Sequence, residues 1–174
     1  SVTVSGGTYG STTADQSVFL VVNGGNLTID GAAITKTGGP VGEVDDAYNF
    51  YGLNSIVVVV GDGSTARITN CTLDADSNGS NAIVAANGGA VTVNGVTITT
   101  SGGSSRGLHA TYGGTITAEN VDIATSGAHS APLATDRGGG TMTVSGASTV
   151  NASGEGSPCI YSTGSITATG LTGT

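Results

Sequence analysis

The chain has 174 residues, 31 of them glycine, with three prolines, no tryptophan and a net charge of −8. That is enough for one domain, and it is too poor in cations to neutralise nucleic acid or to seek an anionic membrane. So much glycine fits a disordered chain, but low proline with abundant Val, Ile and Thr points to ordered β structure. No apolar run approaches the roughly 20 residues needed to span a bilayer, so no membrane insertion is expected. Neither a signal peptide nor an initiator Met stands at the start, so the sequence reads as a mature or excised segment.

Read in order, one pattern returns seven times. The copies are VTVSGGTY from Val2, LTIDGAAI from Leu27, ARITNCTL from Ala66, VTVNGVTI from Val91, ITAENVDI from Ile116, MTVSGAST from Met142 and ITATGLTG from Ile166. Successive starts are 25, 39, 25, 25, 26 and 24 residues apart, so one period of about 25 runs through the chain with a single 14-residue excess. Taken alone, "VTVNGVTI" would be a hairpin around Asn94-Gly95. Its columns argue otherwise. The fifth holds Gly6, Gly31, Asn70, Gly95, Asn120, Gly146 and Gly170, the two residue types most at ease with φ > 0. One left-handed residue turns a chain through a corner without reversing it. The first, third, sixth and eighth columns are mostly apolar and share one interior; the second, mostly Thr, alternates outward.

Ahead of each copy lies another short strand: VFLVVNGG (18–25), IVVVVGDG (56–63), AIVAANGG (82–89), GLHATYGG (107–114), PLATDRGGG (132–140) and CIYSTG (159–164). Each follows a polar loop ending near a serine: Ser17, Ser55, Ser80, Ser105, Ser130 and Ser157. Three short strands and three corners per period predict an all-β fold, a right-handed parallel β-helix of about seven rungs. Its strands stack about 4.8 Å apart, like residue over like; the handedness follows the general preference of crossovers. Residues 1–174 form one domain. Neither end shows a capping helix, so the chain reads as a slice of a longer solenoid or as a unit that self-associates end to end. Cys71 and Cys159 lie three to four rungs apart and are expected to be free thiols.

The excess falls in an insertion at 38–55, which holds Tyr48, Phe50 and Tyr51. Beside it Leu20, Val22, Val58, Val60 and Val84 should point outward. Walls apolar on both faces are covered walls, so the insertion is expected to fold over them; the competing reading leaves them for a partner. Glu43, Asp45 and Asp46 form a candidate Ca²⁺ group, since hard ions prefer oxygen ligands, although a solvated acidic loop explains them as well. Further along, the outward positions become His109, Thr111, Asp136 and Tyr161 with Arg137 nearby, a candidate ligand-binding groove for glycan. No catalytic residues are assigned: Asp136 has no second carboxylate at a defined separation, His129 is a loop residue without a visible partner, and no known nucleophile or metal motif occurs. The outward threonines Thr28, Thr92, Thr117, Thr143 and Thr167, interrupted by Arg67, suit an ice-binding solenoid face.

These columns, with "VTVNGVTITTSG", "ATDRGGGTMTVSG" and "GEGSPCIYSTGSITATG", resemble repeats of adhesin-like bacterial surface proteins, and more distantly autotransporter passengers and pectate-lyase-like enzymes. The resemblance implies an extracellular or cell-surface β-helix that is structural or adhesive, with glycan or a surface protein as partner; apart from the candidate Ca²⁺ group, no cofactor is expected. The lyase pattern of clustered Asp with a basic residue is missing, and so is the paired Asp with Gly-His-Gly of β-helical hydrolases. A polysaccharide lyase or glycoside hydrolase is therefore the third reading, behind the adhesive module and the ice-binding solenoid.

Overall fold

A computed structural model describes residues 1–174 and shows a parallel β-solenoid of about seven turns. The first turn holds β1 (Val2–Ser5), β2 (Thr8–Ser11) and β3 (Phe19–Val21). The second holds β4 (Asn26–Asp30), β5 (Ala33–Lys36), the single short helix α1 (Asp46–Tyr51) and β6 (Val57–Val60). The next three turns are β7 (Thr65–Thr69), β8 (Thr72–Ala75) and β9 (Ile83–Ala86); β10 (Ala90–Asn94), β11 (Thr97–Thr100) and β12 (Leu108–Thr111); β13 (Gly114–Glu119), β14 (Asp122–Thr125) and β15 (Leu133–Thr135). Then come β16 (Gly140–Ser145), β17 (Thr149–Ala152) and β18 (Ile160–Ser162), with β19 (Ser165–Ala168) and β20 (Thr172–Gly173) last. Equivalent strands form sheets of seven, seven and six strands, paired in parallel throughout.

The register is the one the columns dictate. Val4, Ile29, Ile68, Val93, Ala118, Val144 and Ala168 lie in one file of the first sheet. A core of 30 buried side chains fills the shaft, Ile29, Ile68 and Ile98 among its largest. All seven residues of the fifth column have positive φ, between 53° and 73°. The Asn94-Gly95 corner therefore turns the chain and does not reverse it. Cys71 is buried and Cys159 half-buried, and both are free.

The serines before the third sheet form a ladder along the axis. The amides of Ser80, Ser105 and Ser130 donate to the hydroxyls of Ser105, Ser130 and Ser157 at 3.0, 2.9 and 2.8 Å. Those hydroxyls donate in turn to the carbonyls of Ser77, Gly102 and Gly127. Each serine thus pairs one amide and one carbonyl that a dry corner would otherwise leave unmatched. The corner also demands glycine, for a Cβ on Gly127 would sit 1.8 Å from the carbonyl oxygen of Gly102.

The 14-residue excess does not disturb the stack: β4 and β7 pair in register, Asn26 opposite Thr65, across it. The extra chain folds back as a strap. Asp45 caps α1 by accepting from the Ala47 amide at 2.9 Å, and Gly52, at φ 78°, ends it in the left-handed region. Gly52 packs so closely that an added Cβ would meet Val84 at 3.1 Å and Val58 at 3.2 Å. Val58 and Val84 are buried beneath it, together with Ala86. Cover is partial, because Leu20 stays 62% exposed and Val22 is also open. No helix is long and apolar enough to cross a membrane.

Lys36 is a surprise of the core. It replaces the small residues of its file and is fully buried, its ammonium donating to the carbonyls of Thr13 and Gly38 where the strap leaves the stack. Burial pushes its pKa down, opposed by Asp15 and Asp76.

Candidate functional site

The outward file of the third sheet runs Leu20, Val58, Val84, His109, Ala134, Tyr161. The expected groove of His109, Thr111, Asp136, Arg137 and Tyr161 follows this surface, and the structure divides it in two.

One part is closed. His109 and Thr111 face outward as expected but are fully buried, so they do not line an open groove. The cause is the strap. Thr111 Oγ1 donates to the carbonyl of Phe50 at 2.7 Å, and Arg106 Nη1 donates to Asn49 Oδ1 at 3.0 Å. These bonds tie the strap down at residues 106 and 111, which flank His109 in the chain. Both of its ring nitrogens lack a partner. Burial, and secondarily the Arg106 charge, holds its pKa well below the usual histidine range, so the ring is neutral. Arg137, in the turn after β15, is held by the strap as well: its guanidinium lies 3.9 Å over the Phe50 ring and pairs with Asp46 at 2.5 Å. Tyr51 stacks on Tyr112 with ring centroids 5.2 Å apart. Tyr48, buried, donates its hydroxyl to Asp15 at 2.5 Å, which raises its pKa.

The other part is open. Asp136 and Tyr161 do come together, in a cleft of about 210 Å³ that Arg106, His129, Ala131, Gly156 and Pro158 complete. Arg106 Nη2 stands 4.0 Å from Asp136 Oδ2, beyond hydrogen-bond length, with both side chains largely shielded from solvent. Burial lowers the Arg106 pKa, and Asp136 works against that. His129 sits at a left-handed corner, φ 55°. Gly156 makes room for its ring, for a Cβ there would come within 2.8 Å of His129 Nδ1. Tyr161 is 42% exposed and lines the cleft with its aromatic side chain.

Two members of this cleft, Arg106 and His129, escape a reading by strands because both lie in the loops before β12 and β15. The period holds the clue. Arg106, Ala131 and Pro158 occupy equivalent positions in successive turns, so one long side chain stands beside two short ones, and a hollow follows.

Of the candidate Ca²⁺ group, Glu43 is exposed, Asp45 caps α1 and Asp46 pairs with Arg137; no three His, Cys, Asp or Glu side chains are gathered to hold a metal ion. The threonine column lies in register on the first sheet: Thr28, Arg67, Thr92, Thr117, Thr143, Thr167. From Thr92 onward all are exposed. Around Arg67 the face dips into a wholly polar hollow, where Asp30 accepts from Thr69 at 2.7 Å and Asn70 at 2.9 Å. Those bonds hold the exposed Asp30 carboxyl below its ordinary pKa.

No protein-family model, no curated protein and no solved structure matches this chain.

Proposed function

We propose that this chain is a non-catalytic structural and adhesive module of an extracellular or cell-surface protein, binding glycan in the Arg106–Asp136–Tyr161 cleft. The carrying observation is that cleft: a donor, an acceptor and an aromatic side chain meet in a hollow smaller than the roughly 300–1,000 Å³ of drug-sized sites. It has the size for a sugar ring and not for a dinucleotide. One carboxylate lines it, whereas glycosidic hydrolysis in its common forms needs two. The rest of the molecule serves as a spacer, since seven turns at the spacing of paired strands give a rod core of roughly 30 Å. The cations also favour this reading over a polyanion partner. Lys36 is buried, Arg106 shielded, Arg137 paired with Asp46, and only Arg67 stands free on a strand face. A glycan array probed with the wild-type chain and with Tyr161→Ala tests the proposal. Binding to a defined glycan set that Tyr161→Ala loses supports it, and binding unaffected by that change contradicts it.

One observation favours a second reading. Thr92, Thr117, Thr143 and Thr167 form an unbroken, exposed file on the first sheet, the regular hydroxyl array expected of an ice-binding face. Thermal hysteresis that Thr92→Tyr abolishes is its signature; a chain that neither shapes ice nor depresses freezing removes it.

A further inference from the structure

Resting on the glycan reading of the cleft, we infer that its ligand is a neutral sugar ring carrying adjacent free hydroxyls, and not a uronic or sialic acid. Three features carry this. First, the charges in the cleft balance. Arg106 and Asp136 face each other 4.0 Å apart, too far to satisfy one another by a hydrogen bond and close enough to flank two neighbouring hydroxyls. The carboxylate only accepts and the guanidinium only donates, so together they match a pair of hydroxyls, one donating and one accepting.

Second, an anionic sugar meets an obstacle here. Its carboxylate would enter a hollow that the Asp136 carboxylate already lines, and the Arg106 charge that would attract it is offset by Asp136 4.0 Å away. The chain as a whole carries a net charge of −8, which opposes the approach of an acidic polymer at low ionic strength. Like charges placed together across a contact are a means of rejecting the wrong ligand.

Third, the remaining walls suit the other face of a sugar. Tyr161, 42% exposed, lines the hollow with the short apolar side chains of Ala131 and Pro158. A pyranose has an apolar face of C–H groups that packs on such a surface, leaving its hydroxyls for Arg106, Asp136 and His129. Gly156 keeps the His129 edge open, since any larger residue would press into that ring.

The test compares two ligands that differ only at one carbon: methyl β-galactopyranoside and its uronic counterpart, methyl β-galactopyranosiduronate, with methyl α-mannopyranoside as a second neutral ring. Each is titrated into isotope-labelled wild-type chain, Asp136→Asn and Tyr161→Ala, and amide shifts are followed. The expected result is saturable shifts around residues 129–137 and 156–161 with at least one neutral sugar. The uronate should bind at least tenfold more weakly than its neutral partner. Asp136→Asn should weaken neutral binding by about tenfold, the loss of a charge-assisted hydrogen bond, and narrow the gap to the uronate. Tyr161→Ala, at an exposed position, should lose binding with the fold intact. Uronate binding as tight as or tighter than the neutral sugar, still lost in Tyr161→Ala, overturns this inference and leaves the glycan reading standing. No saturable shift with any of the three overturns it as well, and the array then decides the broader reading by itself.

Discussion

Along one file of the third sheet, Val58, Val84 and His109 are buried where the strap crosses, while Tyr161, two turns beyond His109, stands open beside a polar cleft. The backbone is the same in both regions, and so are the strand spacing and the period. What differs is a single insertion 25-residue periods do not require. Where it lies, the outward wall carries valines and an uncharged histidine. Where it stops, the wall carries a carboxylate and a phenol. A solenoid therefore separates two tasks cleanly: the interior files hold the stack together, and each outward segment is free to become either core or binding surface.

Substitutions sharpen that contrast, beginning with the largest expected effect. Val84→Asp places a carboxylate under the strap with no partner, and should cost more than about 3 kcal/mol in denaturant unfolding. If the cost is under 1 kcal/mol, the strap does not cover this wall in solution. Gly52→Ala forces a side chain into the left-handed region and against Val58 and Val84, for about 1–2 kcal/mol. Its local signature should be faster amide exchange over 46–51 while β10 and β13 stay protected.

His109 adds a pH dependence confined to the covered region. In the unfolded chain it titrates near its ordinary value of 6.5; in the fold its pKa lies well below that, through burial and then Arg106. The unfolded state takes up the proton first as pH falls. The stability contributed is therefore complete above about pH 6.5 and declines as pH drops toward the folded value. His109→Leu should flatten that decline in a Tm series between pH 7.5 and pH 5. An unchanged slope would mean that the ring is solvated. The smallest effects belong to the surface. Arg137→Ala loses an exposed stack on Phe50 and an exposed pair with Asp46, and should shift the urea midpoint only slightly, and less at high salt. Tyr161→Ala, in the open region, should fall within about 0.5 kcal/mol of wild type.

The sequence reveals the first region's scaffold and, through its doubly apolar wall, that something covers it, but not how far the cover reaches. The Gly/Asn column and the threonine column follow from the period, because an in-register stack gives each position one environment in every turn. The serines before the third sheet are visible by the same logic, although their hydrogen bonds along the axis are not. The strap lies outside any column. A six-residue helix has too little periodicity to announce itself, and only its Asp45 cap and Gly52 stop mark it in retrospect. Its reach along the axis is not legible in the sequence, so His109 and Thr111 read as surface when they are interior. The cleft was half legible: Asp136 and Tyr161 lie on or beside strands, but Arg106 and His129 sit in loops, where neighbours are set by the turn below and above and not by alternation. The burial of Lys36 is hidden for a related reason. The residue occupies an inward position of β5 that the strap's carbonyl at Gly38 makes tolerable.

The most direct measurement maps where a glycan selected on the array touches the chain, by amide shift perturbation on the whole protein. The account predicts shifts concentrated at His129, Asp136 and Tyr161, with Thr92, Thr117 and the strap residues 46–51 unmoved. Shifts centred on the threonine file, or on Leu20 and Val22 beside the strap, would contradict it.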